Sequence, residues 1–264
     1  MVLVSLKGDD FMAISAVGSS TDIYGQLSSG KRINSAADDA AGLAISNKLE
    51  SQSNGYNAGN ENAQSGINAL KVSDGALSQI NDNLQRIYEL SIKAGNSLYT
   101  PAELKGIQDE ISGLMGGIQD IAKGTEYNTL KLLDGSMADM YIASNPNGGG
   151  PSIKMANATL EALGIDGYDV TGKFDINRIT DAMDKVNSSR SSMGAQTNAL
   201  EHLMSSNSIT SENLTSSQSK IEDLDMFQAI SDMKKQQVLD NYKIMMQKQE
   251  QEQQTNRTLG LFNA

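Results

Sequence analysis

Residues 49–94 decide the fold, and they read LESQSNGYNAGNENAQSGINALKVSDGALSQINDNLQRIYELSIKA. Apolar residues return at every seventh position of this stretch, at Leu49, Tyr56, Ala63, Leu70, Leu77 and Leu84. A second apolar row joins late, at Ile80, Ile87 and Ala94. A heptad repeat is typical of a helix that packs against other long helices. The stretch therefore predicts one helix of about 70 Å, at roughly 1.5 Å per residue, that depends on neighbouring helices for its stability.

The middle of the second row holds small or polar residues, at Gln52, Gly59, Gly66 and Ser73. Small side chains let a neighbouring helix approach closely, although they bury little apolar area. Each glycine inside a helix also costs about 1 kcal/mol of helix propensity relative to alanine. We therefore expect close approach of a second helix along this part of the row.

The composition limits the class of protein to which the chain can belong. Its 264 residues contain 38% hydrophobic and 5% aromatic residues, too few for a large dense core, which favours elongated helical packing. A formal net charge of −11 argues against nucleic-acid and anionic-membrane binding, because either would need a basic face. The absence of cysteine excludes a disulfide framework, a thiolate zinc site and a cysteine nucleophile.

The two ends of the chain are less regular than its middle. Residues 1–26 mix apolar residues with glycine and serine, which predicts an arm that folds only against neighbours. The run from Val2 to Leu6 is too short for a cleavable secretory signal, and no stretch reaches the 18 or so apolar residues that span a membrane. Near the other end, residues 226–246 are rich in apolar residues and methionine, which indicates an adaptable contact surface.

Residues 25–32, GQLSSGKR, come close to a phosphate-binding P-loop. The pattern fails at Arg32, where serine or threonine would bind magnesium, and no clear strand precedes it. A turn between helices is the favoured interpretation, and nucleotide binding is the alternative.

Two further helices and a hairpin complete the prediction. Thr100, Pro101 and Glu103 form a capping box that opens a helix ending at Gly124. Between residues 134 and 175, two extended runs flank a turn rich in glycine, proline and asparagine, which predicts a β-hairpin. A second heptad row begins near Asp175 and contains Val186, Met193, Leu200, Asn207, Leu214 and Ile221. From the pattern alone, Asn207 is either a residue that sets the helix register or a plain polar interruption.

These patterns predict a mainly α protein, an elongated antiparallel coiled-coil-like helical rod with one small β-hairpin region. We predict an N-terminal arm over residues 1–26, a rod domain over 27–225 with the hairpin near 134–175, and a C-terminal arm over 226–264. Both arms are expected to become helical on assembly.

Several separated motifs carry a resemblance to bacterial flagellins. Residues 27–45, LSSGKRINSAADDAAGLAI, resemble the N-terminal signature of that family, and NLQRIYELS at 83–91 and IQDEI at 107–111 follow in the same order. SKIED at 219–223 and LGL at 259–261 resemble the C-terminal block. The resemblance covers most of residues 27–133 and 153–264.

The resemblance implies a structural subunit that polymerises into the flagellar filament for motility. It also implies an extracellular location, reached without a cleaved signal through the flagellar type III export apparatus, with an export chaperone on the C-terminal segment. Filament cap and hook-filament junction proteins are further implied partners, and no cofactor or metal is implied. The short connection from Leu133 to Asp175 indicates a minimal subunit without variable outer domains.

The resemblance also implies functional residues. Host Toll-like receptor 5 recognises a patch that, carried over by motif, comprises Gln85, Arg86, Leu90 and Glu110, with Leu90 as an apolar contact. The same residues can serve as contacts between subunits. The predicted polymerisation core comprises Leu49, Leu70, Leu77, Leu84, Leu214, Ile221, Met233, Leu259 and Leu261.

Three other functions remain as alternatives to the filament subunit. A hook-filament junction protein is the nearest alternative, and a generic coiled-coil scaffold is another. A secreted enzyme would have to use the near-P-loop, because His202 has no second histidine for a zinc motif. The acidic pairs Asp38-Asp39 and Asp109-Glu110 do not converge on one substrate, because adjacent residues on a helix point in different directions. We therefore predict a protein without catalytic residues.

Overall fold

The computed structural model describes residues 23–262, with side chains described as far as Asn256. Residues 23–29 are helical. The helices and strands that follow are α1 (Ala36–Ala94), α2 (Pro101–Gly124), β1 (Glu126–Tyr127), β2 (Leu130–Lys131), β3 (Asp139–Tyr141), β4 (Ser152–Lys154), α3 (Leu160–Leu163), α4 (Asn177–Glu222) and α5 (Met226–Phe262). The prediction of a mainly α fold with long helices is confirmed. Most of the predicted N-terminal arm, residues 1–22, lies outside the described residues.

The chain divides into two compact units. One combines the residues up to Glu50 with those from Leu214 onwards, and the other comprises Ser51–Asn213. We call these the terminal unit and the central unit. The domain boundaries after residues 26 and 225 stay a prediction.

The central unit contains a continuous apolar core. Every member of the main buried cluster lies between Ala63 and Leu200, and α1, α2 and α4 all contribute to it. The later heptad positions of α1 are buried as expected, at Ala63, Leu70, Leu77, Ile80, Leu84, Ile87 and Ala94. Burial of such a stripe by neighbouring helices is what a heptad repeat predicts.

Helix α2 begins and ends where its sequence signals predict. The Thr100 side chain accepts a hydrogen bond from the Glu103 backbone N–H, and the Glu103 carboxylate accepts one from the Thr100 N–H at 2.7 Å. This capping box satisfies two backbone donors that would otherwise lack a helical partner. The helix extends from Pro101 to Gly124.

The predicted hairpin is present, and a second strand pair accompanies it. Strands β3 and β4 are antiparallel, with Met140 opposite Ile153. Strands β1 and β2 form another antiparallel pair outside the predicted region. Their turn places Asn128 and Thr129 at positive φ, 49° and 66°, without a glycine to mark it in the sequence. The prediction of a single β-region was therefore incomplete.

The small residues of α1 accommodate the hairpin turn rather than another helix. A Cβ atom added to Gly59 would lie 2.2 Å from the Ser144 carbonyl oxygen, and one added to Gly55 would lie 2.7 Å from Pro146. Asn207 of α4 is buried, and its amide donates a hydrogen bond of 2.9 Å to the same Ser144 oxygen. A segment does approach closely at these glycines, but it is a loop, so the prediction of a second helix there is wrong. The hydrogen bond from Asn207 helps to hold this loop in place.

Candidate functional site

The terminal unit buries very little apolar surface. Among the side chains that the structure describes in this unit, in residues 23–50 and 214–256, Ile33 is the only large apolar one that is buried, with 1% of its surface exposed. Burial of apolar area is the main favourable contribution to folding. The described part of this unit therefore lacks a core comparable to that of the central unit.

Polar contacts replace an apolar core in this unit. The buried Glu222 carboxylate lies 2.5 Å from the Lys31 Nζ atom and accepts hydrogen bonds from the Ser46 hydroxyl and the Gln218 amide. The hydrogen bond from Lys31 and those from Ser46 and Gln218 lower the pKa of Glu222 to about 2. We call these four residues the Glu222 cluster. It keeps a buried charge paired, which a carboxylate in this position requires.

Backbone contacts join the same two segments. The Arg32 N–H donates to the Glu222 carbonyl at 2.6 Å, and the Leu224 N–H donates to the Gly30 carbonyl at 3.0 Å. Gly30 has a φ of 70°, which glycine adopts without a steric penalty. Residues 30–33 are thereby fixed against the end of α4.

This arrangement contradicts the nucleotide interpretation of residues 25–32. Residues 23–29 form a helix where a P-loop needs a phosphate-cradling loop after a strand. Lys31, the residue that would reach the phosphates, is paired with Glu222 instead. The segment is a helix end followed by a turn, as the favoured interpretation predicts.

Helix α1 has a kink near its start, at Asp39, which lies in the terminal unit. Asp39 has an extended backbone, with φ −162° and ψ 95°, and its carboxylate accepts a hydrogen bond from the Gly42 N–H at 2.8 Å. An aspartate in this position acts as an N-cap for the residues that follow. The long helix therefore receives a new capped start at Asp39.

Helix α5 exposes a row of apolar side chains. Val238, Tyr242 and Met245 follow each other at steps of four and three, so they share one face of the helix. Their exposed fractions are 67%, 60% and 66%. Phe227 and Ile230 lie on the same face nearer the start of α5, separated from Val238 by the exposed Lys234, and Phe227 is 88% exposed. We call the five apolar residues the α5 row; exposed apolar side chains concentrated on one helix face are typical of an interaction site.

Another side of α5 contacts the described N-terminal residues. The Gln237 amide donates a hydrogen bond of 3.0 Å to the Tyr24 hydroxyl. Ile23, Tyr24, Met233 and Gln237 line a small cleft on that side. Residues 23–256, whose side chains the structure describes, leave the α5 row uncovered.

The predicted polymerisation residues divide into three groups. Leu70, Leu77 and Leu84 are buried within the core of the central unit, so their side chains are not available to another copy. The half-buried residues are Leu49, Leu214, Ile221 and Met233. The side chains of Leu259 and Leu261 lie outside the described residues.

The predicted polymerisation core includes no residue of the α5 row. Met233 is its only member on α5 whose side chain the structure describes. The signal was available, because the row has the three-and-four spacing of one helix face. What the sequence does not reveal is which face of α5 the rest of the chain covers.

The predicted receptor residues lie on α1 and α2. The Arg86 guanidinium donates to the Glu110 carboxylate at 2.8 Å and to that of Glu89 at 3.1 Å, and Gln85 is exposed. Leu90 has only 3% of its surface exposed, because it packs into the core of the central unit. Its predicted role as an accessible apolar contact is therefore contradicted for the folded chain.

The described residues show neither a metal site nor a membrane-spanning helix. His202 is exposed on α4. Within residues 23–262, no group of three or more histidine, cysteine, aspartate or glutamate side chains is arranged to hold a metal ion. No helix in the described part of the chain combines the length and apolar character needed to cross a membrane.

Comparison with known proteins gives a consistent result. The family model for the bacterial flagellin N-terminal helical region matches residues 18–138, and the one for the C-terminal helical region matches residues 176–258. A flagellin of Bacillus subtilis (strain 168) is 35% identical over 88% of this chain and 89% of its own length. The flagellar filament 33 kDa core protein of Treponema phagedenis is 33% identical over 81% of this chain and 82% of its own length.

One solved structure supports the fold at low sequence identity. A protein assigned as a flagellar hook-associated protein of Vibrio parahaemolyticus has a TM-score of 0.60 and 14% identity, with 70% of this chain and all of that chain covered. At this identity the likeness concerns the helical fold alone.

Proposed function

The chain belongs to the bacterial flagellin family, and from this premise we propose that copies of it polymerise through the α5 row. The protein is a structural subunit of the flagellar filament, as its named relatives are. The filament is extracellular. The proposal concerns which surface of this subunit meets its neighbours.

The contrast between the two units supports the proposal. The central unit closes its apolar core within one chain, whereas the described terminal unit buries a single large apolar side chain, Ile33. Neighbouring copies that cover the α5 row would supply the missing burial, at roughly 25 cal/mol for each Å² of apolar surface removed from water. The exposed α5 row is the observation that carries the proposal.

Seeded filament growth tests it. Purified subunits are added to short flagellar seeds, and elongation is followed by electron microscopy. The variant Val238→Gln/Tyr242→Gln removes the centre of the row and is expected to slow elongation by about tenfold or more, because buried aromatic anchors dominate interfaces.

The control is Leu98→Gln, which alters a residue of similar exposure, 85%, in the connection between α1 and α2. It is expected to elongate like the unaltered protein. Equal elongation of the double variant and the unaltered protein would refute the assignment of the α5 row.

Before assembly, the exposed α5 row has to be kept from aggregating. The subunit leaves the cell through the flagellar type III export apparatus, and an export chaperone holds residues 226–264 until then. Outside the cell, the filament cap and hook-filament junction proteins contact the subunit at the two ends of the filament. Co-purification of the chaperone with full-length protein, and its loss on deletion of residues 226–264, is the expected result.

A second proposed partner is host Toll-like receptor 5. Gln85, Arg86 and Glu110 form its contact surface on the soluble subunit, with Leu90 as a buried support beneath them. Exposure of the Arg86–Glu110 ion pair supports this assignment. The same side chains also serve as contacts between subunits in the filament.

A cell-based reporter for the receptor tests the proposed receptor contact. Arg86→Ala is expected to signal more weakly than the unaltered soluble protein. The matched control is Arg190→Ala, which breaks a comparable ion pair with Asp74 elsewhere in the central unit. Equal signalling by Arg86→Ala and the unaltered protein would remove the receptor from the proposal.

The subunit acts without catalysis. Its named relatives are flagellins and filament core proteins. Nucleotide hydrolysis that co-purifies with the protein and is lost in the Lys31→Ala variant would reopen the enzymatic alternative.

A further inference from the structure

The exposed methionines of the described chain are concentrated on one helix. Met226, Met245 and Met246 have exposed fractions of 44%, 66% and 42%, and all three lie on α5. The other methionines between residues 23 and 256 are buried or half-buried, at Met115, Met137, Met140, Met155, Met183, Met193, Met204 and Met233. A solvent-borne oxidant therefore reaches the thioethers of α5 before those of the central unit.

Two of these methionines lie at the proposed contact surface. Met245 ends the α5 row, three residues after Tyr242, and Met246 lies beside it, one turn after Tyr242. Met226 opens the helix and does not belong to the row. Met245 and Met246 therefore combine access to solvent with a position that must become apolar and dry on assembly.

We propose that Met245 and Met246 form an oxidation site that controls assembly of the subunit. A peroxide supplies the oxygen atom. The thioether sulfur attacks the peroxide, the O–O bond breaks, and hydrogen peroxide is reduced to water as methionine is oxidised by two electrons to its sulfoxide. No further reactant is needed.

Oxidation changes the chemistry of the contact surface. A sulfoxide is a polar hydrogen-bond acceptor, and burying it without a donor is unfavourable. The inference rests on the proposed use of the α5 row in assembly. A free subunit is open to the reaction, whereas an assembled one has the same sulfur atoms covered by a neighbour.

The chemical part of the proposal is tested on full-length subunits treated with dilute hydrogen peroxide. Trypsin releases Met245 and Met246 together in the peptide Ile244–Lys248, and releases Met115 in the peptide Gly106–Lys123. Met115 has 9% of its surface exposed and is the internal reference. Mass spectrometry is expected to show oxidation of Ile244–Lys248 about tenfold faster than that of Gly106–Lys123.

The functional part is tested by seeded growth of the treated subunits. Elongation is expected to fall by about tenfold after oxidation of the unaltered protein. The variant Met245→Leu/Met246→Leu keeps apolar side chains without sulfur and is expected to elongate at its own untreated rate after peroxide. Met226→Leu, the matched control, leaves the pair intact and is expected to lose elongation as the unaltered protein does.

Repair provides a measurement that does not depend on any variant. Methionine sulfoxide reductases of both stereochemical classes are added to oxidised, unaltered subunits, and recovery of elongation is expected to follow loss of sulfoxide from Ile244–Lys248. Equal oxidation rates of the two peptides, unchanged elongation after oxidation, or equal loss of elongation by the double leucine variant would each overturn the proposal. Failure of untreated, unaltered subunits to elongate seeds would count against the filament proposal itself, so the two failures are distinguishable.

Discussion

At the scale of single residues, identical amino acids on α1 have opposite roles. A Cβ atom at Gly59 would meet the Ser144 carbonyl oxygen at 2.2 Å, whereas one at Gly75 would have no neighbour within 4 Å. Both glycines lower the helix propensity of α1 by a similar amount. Only the structure tells which of them the fold requires.

Alanine substitution at these two positions is expected to change stability in opposite directions. Gly75→Ala adds helix propensity and is expected to raise the free energy of unfolding by about 0.5–1 kcal/mol. Gly59→Ala forces the hairpin turn away from α1 and is expected to lower it by about 2 kcal/mol. Urea unfolding followed by circular dichroism measures both values. Stabilisation by Gly59→Ala would show that the turn is free to move.

The Glu222 cluster predicts a dependence on acid. The folded-state pKa of Glu222, about 2, lies below the ordinary value of 4.5. The ionised carboxylate therefore stabilises the fold fully above pH 4.5. This stability is lost as the pH falls from 4.5 towards 2, where the folded state also takes up the proton. The pairing of residues 30–33 with the end of α4 is expected to weaken over that range.

Comparison with Glu222→Gln isolates this contribution. At pH 7 the variant is expected to lower the local stability by about 2 kcal/mol, and the difference from the unaltered protein is expected to shrink towards pH 2. Hydrogen exchange of the Arg32 and Leu224 amides reports the local stability. Glu201→Gln, at an exposed position of the same helix, is the control; a pH-independent difference for Glu222→Gln would contradict the prediction.

At the scale of helices and strands, the features that could be predicted from the sequence are those that depend on nearby residues of the same helix. The heptad row of α1 and the capping box at Thr100 and Glu103 act within a few turns of one helix, and both were placed correctly. The turn at Asn128 and Thr129 was missed because the turn former Asn128 is followed by Thr129, a β-branched residue that rarely adopts a positive φ, and not by glycine. The partner of Gly59 was misassigned because it lies far along the chain.

For Asn207, the heptad pattern and the observed structure predict opposite effects of substitution. A heptad pattern alone predicts that Asn207→Leu stabilises α4 by completing an apolar row. The structure predicts a loss of about 1–3 kcal/mol, because the Ser144 carbonyl would lose its amide donor in a buried position.

Thermal or urea unfolding measures the change, and Met193→Leu serves as the matched control at a buried heptad position. That variant preserves volume and is expected to change stability by less than about 1.5 kcal/mol. An Asn207→Leu variant more stable than the unaltered protein would favour the heptad pattern over the observed hydrogen bond.

At the scale of the whole molecule, the two compact units differ in how they are stabilised. The main apolar cluster lies within residues 63–200, whereas the described terminal unit depends on the Glu222 cluster and a few backbone hydrogen bonds. Folding of the central unit should therefore not require the C-terminal helix.

Deletion of residues 226–264 tests this division. The shortened protein is expected to keep the cooperative unfolding transition of the central unit, because no member of the main cluster is removed. It is also expected to lose seeded elongation, because the α5 row is absent. Circular dichroism and electron microscopy measure the two properties. Loss of the unfolding transition, or retention of filament growth, would contradict the division.

Because the described terminal unit buries only one large apolar side chain, Ile33, mutations in the two units are expected to affect the amount of protein in the cell differently. Changes within the central core are exposed to cellular quality control as soon as one molecule is made, because they reduce its own stability. Under the proposed assembly through the α5 row, changes in that row take effect only when copies meet. A mutant lineage can therefore accumulate normal quantities of subunit and still be unable to swim.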